Sequence, residues 1–213
     1  MVYLEENTPF PDVSLADEDG LLALGGKLSP KRLMNAYRQG IFPWFSDNQP
    51  VLWWSPDPRM VLCPENFKVS KSLRQRLKNN PFEITFNSAF AEVIKQCAHT
   101  TRKKETGTWI TQSMQEAYLE LHRLGHATSV EVWEEGRLVG GLYGIDLPDK
   151  KIFCGESMFH HVRDASKIAF YYLVQKLKEK KYLLIDCQVY TRHLESMGAE
   201  EMSRETFISI LTK

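Results

Sequence analysis

Residues 41–58 place five large aromatic side chains and four prolines in one short stretch, and this composition restricts the local fold more than any other part of the chain. Proline fixes φ and donates no backbone hydrogen bond, so it interrupts helices and central strands. The stretch is therefore predicted to form a stiff, irregular aromatic surface rather than a ladder of strands. It is predicted to divide the chain into a small amino-terminal domain, residues 1–62, and a larger domain, residues 63–213.

The larger domain is predicted to mix helices with antiparallel strands, which places the chain in the α+β class. Helices are predicted, from apolar residues three and four positions apart, near residues 71–79, after Thr111 and after Asp164. Strands are predicted, from alternating or continuous apolar residues, over residues 128–134, 137–145, 151–155 and 182–189.

The chain carries 27 basic and 27 acidic residues, so no net field draws it to nucleic acid or to a membrane. RNA binding would have to come from a local patch. The best candidate is the helix predicted over residues 71–79, where Lys71, Arg74 and Lys78 lie opposite the apolar residues. This face is either a solvated surface or a strip that contacts phosphates. Further basic residues stand in a predicted loop, at Arg102, Lys103 and Lys104.

Several features predict a cytoplasmic protein that binds no metal. The first 26 residues contain six acids and no base, unlike a secretory signal peptide. No stretch approaches the roughly 18 consecutive apolar residues of a membrane span. The cysteines are far apart, without a Cys-x-x-Cys pair, and are predicted to be reduced and mostly buried thiols: Cys63, Cys97, Cys154 and Cys187.

Two polar residues interrupt the last apolar run. On a strand alternate residues share a face, so Asp186 and Gln188 are predicted to point the same way. Burying a carboxylate beside an amide is costly unless both groups are paired. The pair either ties the strand to a neighbour or handles protons in a cleft. Glu156, after a glycine at a predicted strand end, is a second candidate, with a solvated turn acid as its alternative.

The tryptophans offer a third candidate site. Trp44, Trp53 and Trp54 lie in the proline-rich stretch, and Trp109 follows in Gly107-Thr-Trp-Ile-Thr111. Large aromatic residues usually build a core. On a proline-stiffened surface they also suit the stacking of unpaired nucleobases.

Seven sequence blocks follow one another along the chain: Gly20-Leu-Leu-Ala-Leu-Gly-Gly26, Gly40-Ile-Phe-Pro-Trp-Phe45, Leu52-Trp-Trp-Ser-Pro-Asp-Pro-Arg59, Gly107-Thr-Trp-Ile-Thr111, Gly140-Gly-Leu-Tyr-Gly144, Phe153-Cys-Gly-Glu-Ser-Met-Phe159 and Asp186-Cys-Gln-Val189. Together they resemble the leucyl/phenylalanyl-tRNA–protein transferases from about residue 10 to the end. The resemblance implies a GNAT-like acyltransferase domain with a small N-terminal domain. One departure is Thr191, because the family often has Asn at that position.

The resemblance also implies a reaction. Such an enzyme transfers Leu or Phe, and Met less well, from Leu-tRNA or Phe-tRNA to proteins that begin with Arg or Lys. The new peptide bond marks the acceptor for N-end rule degradation, and neither DNA nor a membrane is a partner. By matching motif, the catalytic residues are Asp186, Gln188 and Glu156. The wall around the 3′-terminal adenosine is formed by Trp53, Trp54 and Trp109. The pocket for the transferred side chain is lined by Leu142, Met158, Phe170, Leu173 and Ile185.

These residues suit aminolysis of an ester. An aminoacyl ester is already activated, so the reaction is expected to need no metal, ATP or coenzyme A. An N-terminal amine has a pKa near 7.7–8.0, so a useful fraction is a neutral nucleophile at cytoplasmic pH. An amide scarcely accepts a proton, and Gln188 is therefore expected to orient the amine while Asp186 holds it.

Two other functions are alternatives. A coenzyme A-dependent N-acetyltransferase of the same fold would cradle pyrophosphate on a glycine-rich turn at a helix N-terminus. The corresponding turn, Arg163-Asp-Ala-Ser-Lys167, has no glycine, and its acid would repel phosphate. A non-catalytic tRNA-binding module would explain the basic helix and the tryptophans, but not Asp186 with Gln188 on a buried strand.

Overall fold

The computed structural model describes residues 2–79, 81–100 and 108–213, which form two sheets and seven helices. The smaller sheet contains β1 (Val2–Leu4), β2 (Leu21–Gly25), β3 (Phe42–Pro43) and β4 (Leu52–Trp54), in the order β1-β2-β4-β3. The larger sheet contains β5 (Arg59–Leu62), β6 (Glu83–Phe86), β7 (Ala127–Glu134), β8 (Arg137–Leu147), β9 (Ile152–His160), β10 (Leu184–Gln188) and β11 (Glu200–Met202), in the order β11-β5-β10-β9-β8-β7-β6. The helices are α1 (Pro30–Tyr37), α2 (Lys71–Lys78), α3 (Phe90–His99), α4 (Gln112–Arg123), α5 (Ala165–Glu179), α6 (Arg192–Ser196) and α7 (Arg204–Leu211).

This mixture of elements confirms the α+β class. The three predicted helices are α2, α4 and α5, and the four predicted strands are β7 to β10, of which β9 runs further than expected, to His160. Helix α3 is an additional element, although its buried residues Phe90, Val93, Ile94 and Cys97 have the same helical spacing. Within the described residues, no helix combines the length and apolarity that a membrane span needs.

The proline-rich stretch contains two short strands, so the prediction of a wholly irregular surface is wrong. Phe42 pairs with Trp54, and Pro43 pairs with Trp53, across β3 and β4. Pro43 is compatible with this pairing because β3 lies at the edge of the sheet, where a missing N–H interrupts no second ladder. Residues 41, 44–51 and 55–58 stay irregular.

Strand β5 moves the boundary between the two domains. The sequence pattern assigns residues 59–62 to the small domain, but β5 lies between β11 and β10 in the larger sheet. The larger domain therefore begins at Arg59. Both domains contribute to one hydrophobic core, in which Trp53 of β4 lies with Tyr118 of α4 and Phe207 of α7.

Strands β9 and β10 run parallel, and α5 supplies the crossover that parallel neighbours require. They pair only where Ile152–Cys154 of β9 faces Leu184–Asp186 of β10. Strand β9 then continues along β8 to His160, while β10 bulges and ends at Gln188. The sheet opens at this point, and the gap between the two strands leads into the candidate site.

Candidate active site

A cavity of about 470 Å³ opens where β9 and β10 separate. It is lined by residues of β3, β8, β9, α5, β10 and α6, together with Trp44 and Trp109. Most of the lining side chains are apolar or aromatic, and Glu156 and Gln188 stand among the few polar ones. A pocket of this composition is typical of sites that enclose the apolar part of a small ligand and orient it through a few polar groups.

Four side chains form a hydrogen-bonded chain that reaches the cavity. Gln188 Nε2 donates to Oε1 of Glu156 at 2.8 Å, and the Tyr118 hydroxyl donates to Oε2 of Glu156 at 2.9 Å. The Tyr118 hydroxyl is hydrogen-bonded in turn to the hydroxyl of Tyr37 on α1. Glu156 is only 8% exposed, so it is a buried carboxyl group with specific partners and not the solvated turn acid that was its alternative.

Burial has the largest effect on the pKa values of Glu156, Tyr37 and Tyr118. It raises the pKa of Glu156 to about 7 by removing the carboxylate from water, and hydrogen bonds from the tyrosines and Gln188 oppose that rise. Burial also raises the pKa of Tyr37 and Tyr118 well above the ordinary value, so both phenols keep their protons. Glu156 can therefore gain or lose a proton close to neutral pH, as a general acid or base must.

Asp186 is bound to a different partner. Arg59 of β5 donates from Nε to Oδ1 at 2.8 Å and from Nη2 to Oδ2 at 2.7 Å, and both side chains are 1% exposed. Asp186 thus ties its strand to a neighbour, which was one of its two interpretations. Arg59 was not among the predicted site residues, although a basic residue directly before the apolar run Met60-Val-Leu62 was a usable signal.

Asp186 and Gln188 bind different partners. A register shift in the pairing with β5 falls between them, and Gln188 has a left-handed φ of 66°. Such a bulge interrupts the regular pairing of a strand. Gln188 lines the cavity, whereas Asp186 does not. Asp186 Oδ1 accepts a hydrogen bond from the backbone N–H of Gln188 at 3.0 Å, and not from the Gln188 side chain.

The residues expected to form the aminoacyl pocket come together in the structure. Strands β8, β9 and β10 and helix α5 bring all of them to the cavity: Leu142, Met158, Phe170, Leu173 and Ile185. Phe153 and Cys187 extend the same apolar surface. These residues are far apart in sequence, and the parallel β9-α5-β10 unit, with β8 beside it, brings them together.

The tryptophans divide between cavity and core. Trp109 lines the cavity, and so does Trp44, which was not among the expected adenosine residues. Trp53 is 0% exposed and packs edge-on against Phe10 with ring centroids 4.9 Å apart, so the expectation that it stacks on adenosine is wrong. Trp54 is half-buried and lies outside the lining, and its indole N–H donates to the Trp44 carbonyl at 2.7 Å.

Helix α2 displays its basic residues as the spacing predicts. Lys71, Arg74 and Lys78 are all exposed, opposite the face that packs inward. Phe67, shortly before α2, contacts Phe170 of the cavity with ring centroids 5.5 Å apart, so this part of the chain packs behind the cavity wall. The further basic residues lie outside the described part of the chain: Arg102, Lys103 and Lys104.

Helix α6 completes the cavity and explains the residue at position 191. The Thr191 hydroxyl accepts a hydrogen bond from the N–H of Leu194 at 3.2 Å and so caps the helix. Asn is an equally good cap, so the exchange of Asn for Thr keeps this role. The helix brings His193 to the cavity, where burial lowers the pKa of its imidazole.

Comparison with known proteins finds relatives over the whole chain. The family model described as leucyl/phenylalanyl-tRNA protein transferase matches residues 61–212, and that of its N-terminal domain matches residues 26–57. The protein named leucyl/phenylalanyl-tRNA–protein transferase from Christiangramia forsetii is 57% identical over 211 residues, which are 99% of this chain and 100% of that one. The protein of the same name from Syntrophobacter fumaroxidans is 54% identical over 210 residues, which are 99% of this chain and 89% of that one.

One solved structure illustrates a distant resemblance in fold. A GCN5-related N-acetyltransferase from Kribbella flavida aligns with a TM-score of 0.43 and 10% identity, over 80% of this chain and 60% of that one. The GNAT-like description of the larger domain therefore rests on the sequence resemblance.

Proposed function

The chain belongs to the leucyl/phenylalanyl-tRNA–protein transferases, enzymes that transfer an aminoacyl group from tRNA to protein, and on this premise we propose its substrates and the roles of its residues. It transfers Leu or Phe, and Met less well, from the corresponding tRNA to proteins that begin with Arg or Lys. The added residue marks the acceptor for N-end rule degradation. The observation that carries the proposal is an apolar cavity with the hydrogen-bonded pair Glu156 and Gln188 on its wall.

The cavity supports the choice of aminoacyl group. Leu, Phe and Met gain about 25 cal/mol per Å² of apolar surface that they bury against residues such as Leu142, Phe170 and Ile185. A polar side chain would lose its hydrogen bonds to water without replacement. An apolar pocket separates side chains that differ by one methylene by only about 1–3 kcal/mol, which agrees with the acceptance of several large apolar residues.

The 3′-terminal adenosine is held by Trp44 and Trp109. Both line the cavity, and stacking of a base on an aromatic ring contributes about 1–3 kcal/mol. Trp54 supports this wall through its hydrogen bond to the Trp44 carbonyl and a ring contact of 5.8 Å between centroids. Trp44, which lines the cavity, takes the adenosine-binding role that was expected of the buried Trp53.

The chemical step joins the α-amino nitrogen of the acceptor to the carbonyl carbon of the ester. Nε2 of Gln188 is engaged by Glu156, which leaves Oε1 of Gln188 to accept a hydrogen bond from the amine and orient it. Glu156, with its pKa of about 7, accepts the proton that the attacking nitrogen loses. When the C–O bond to the ribose breaks, Glu156 returns that proton to the 3′-oxygen of the tRNA.

The Glu156 carboxylate also favours acceptors that begin with a basic residue. Asp186 is neutralised by Arg59, whereas ionised Glu156 leaves negative charge on the cavity wall. Charge-assisted contacts contribute about 1.5–3 kcal/mol, enough to favour Arg or Lys over neutral residues.

The other partners follow from surface charge and from the substrate. The basic face of α2, with Lys71, Arg74 and Lys78, contacts phosphates of the tRNA acceptor stem. DNA is not a partner. The ester bond supplies the driving force, so no metal, ATP or coenzyme A takes part, and the reaction proceeds in the cytoplasm. A coenzyme A-dependent acetyltransferase is disfavoured because Asp164, ion-paired to Lys167 at 3.1 Å, occupies the turn where pyrophosphate would bind.

Transfer of labelled Phe from Phe-tRNA to a peptide that begins with Arg tests the proposal. The assay contains a chelator and lacks ATP and coenzyme A. We expect the label at the peptide N-terminus, weaker transfer to a peptide that begins with norleucine, and none to an N-acetylated peptide. Equal transfer to the Arg and norleucine peptides would contradict the proposed acceptor preference. A requirement for coenzyme A or a metal would contradict the proposed chemistry.

A further inference from the structure

Arg59 begins β5 and is almost completely buried, with 1% of its surface exposed. Besides its two hydrogen bonds to Asp186, its guanidinium carbon lies 4.8 Å from the ring centroids of both Phe42 and Phe207. A planar guanidinium between two aromatic rings, with a two-point ion pair at its edge, is held in one orientation. The Asp186 carboxylate is therefore held in one orientation as well.

The carboxylate in turn holds the backbone of Gln188. Oδ1 of Asp186 accepts the Gln188 N–H at 3.0 Å. Gln188 has a φ of 66°, in a region that residues other than glycine seldom adopt, and it stands at the bulge of β10. From this conformation its side chain reaches Glu156. The direction of the Gln188 side chain thus depends on the position of the Asp186 carboxylate.

From these contacts we propose that Arg59 is a positioning residue for aminoacyl transfer, which acts through Asp186 on Gln188. Neither Arg59 nor Asp186 lines the cavity, so neither touches the substrate. Arg59 pairs with Asp186 and orients it in a buried setting, where a carboxylate without a partner is strongly disfavoured. The inference rests on the proposed role of Gln188 in orienting the amine.

Phe42 links this arrangement to the small domain. It belongs to β3 of the smaller sheet, contacts the Arg59 guanidinium and also lines the cavity. The small domain therefore helps to hold the bulge of the larger domain in addition to forming part of the cavity wall.

Arg59→Lys separates orientation from charge, because an ammonium keeps the positive charge but cannot bind both carboxylate oxygens as a planar fork. We expect kcat for Phe transfer to fall about a hundred-fold, as for a slightly misplaced catalytic group. We expect KM for Phe-tRNA to change less than about two-fold. The matched control is Arg38→Lys, since Arg38 forms a similar two-point contact with Asp149 at 2.7 and 3.1 Å on the surface. This control is expected to leave kcat and KM unchanged.

A double-mutant cycle tests the route through Gln188. In a Gln188→Ala background, Arg59→Lys is expected to lower kcat by less than about two-fold, because the group that it positions is gone. An equal loss in both backgrounds, or a wild-type kcat in Arg59→Lys alone, would overturn the inference while leaving the proposed function intact. A wild-type kcat in Gln188→Ala would refute the role of Gln188 itself, and the inference with it. If Arg59→Lys does not fold, Phe207→Leu replaces it, because this change removes one of the two aromatic rings against the guanidinium. The same changes in kcat and KM are then expected, alone and in the Gln188→Ala background.

Discussion

Gln188 donates its side-chain amide to Oε1 of Glu156 at 2.8 Å, across the gap where β9 and β10 no longer pair. The contact joins a group that can orient an amine to a carboxyl group whose pKa is about 7. A neutral amide and a titratable acid are therefore joined by one hydrogen bond. Substitutions of Glu156 and Gln188 are expected to differ in effect from substitutions of the residues that position them.

The pH dependence of transfer reports on Glu156. The carboxylate must be ionised to accept a proton, so the rate is expected to decline as the pH falls through about 7. In Tyr118→Phe the carboxylate loses a hydrogen bond that stabilises it, and the midpoint should move to higher pH. The measurement is kcat against pH for both enzymes with one acceptor peptide, whose amine titrates identically in both. An unchanged midpoint in Tyr118→Phe would exclude Glu156 as the titrating group.

Glu156→Gln tests whether the same residue also recognises the acceptor. If its charge recognises Arg, the preference for an Arg peptide over a norleucine peptide should shrink by about one to two orders of magnitude. The measurement is kcat/KM for both peptides in wild type and variant. An equal loss on both peptides would assign Glu156 to the chemical step alone.

Alanine substitutions of Gln188 and Asp186 are expected to affect kcat similarly but the free energy of unfolding differently. Gln188→Ala should lower kcat by about two to four orders of magnitude with little change in stability. Asp186→Ala should lower kcat similarly, and should also reduce the free energy of unfolding by about 3–5 kcal/mol, because it leaves Arg59 buried without a counter-ion. Urea unfolding and tRNA binding, measured beside kcat, distinguish the two. A stable, active Asp186→Ala enzyme would contradict both the ion pair and the mechanism.

The tryptophans give a three-way comparison. Trp44→Ala and Trp109→Ala should each weaken binding of a 3′-aminoacyl adenosine analogue by about 1–3 kcal/mol. Trp53→Ala should instead destabilise the fold by about 3–5 kcal/mol, since its side chain is fully buried. Calorimetric titration and thermal unfolding of the three variants decide between the roles. Loss of stability without loss of affinity in Trp109→Ala would make it a core residue.

The basic face of α2 predicts a salt effect. Replacing Lys71, Arg74 and Lys78 with Ala should weaken tRNA binding and flatten its dependence on log salt by roughly 0.7–0.9 per lost phosphate contact. Binding of the short adenosine analogue should not change. A matched control replaces three lysines that are exposed elsewhere: Lys180, Lys181 and Lys213. Equal slopes for the two triple variants would mean that α2 is only a solvated face.

Local patterns predicted much of the fold because they depend on neighbours in the chain. Ser29 and Thr111 cap α1 and α4 as Ser and Thr do in isolated helices, each accepting an N–H three residues ahead. The burial of Leu73 and the exposure of Lys71 on α2 follow from helical spacing alone. The same kind of reasoning failed at Pro43, since a proline is excluded from a central strand but not from the edge strand β3.

The α+β class and the family could be predicted from the sequence alone, because motifs and periodicity are properties of the chain. The arrangement of the candidate site residues depends on how distant segments pack together. Asp186 binds Arg59 and Gln188 binds Glu156, although neither partner is close to them in the sequence. Burial selected Trp44 over Trp53 for the cavity. Register shifts, burial and the pKa of Glu156 depend on contacts between segments far apart in sequence, and local patterns carry no record of those contacts.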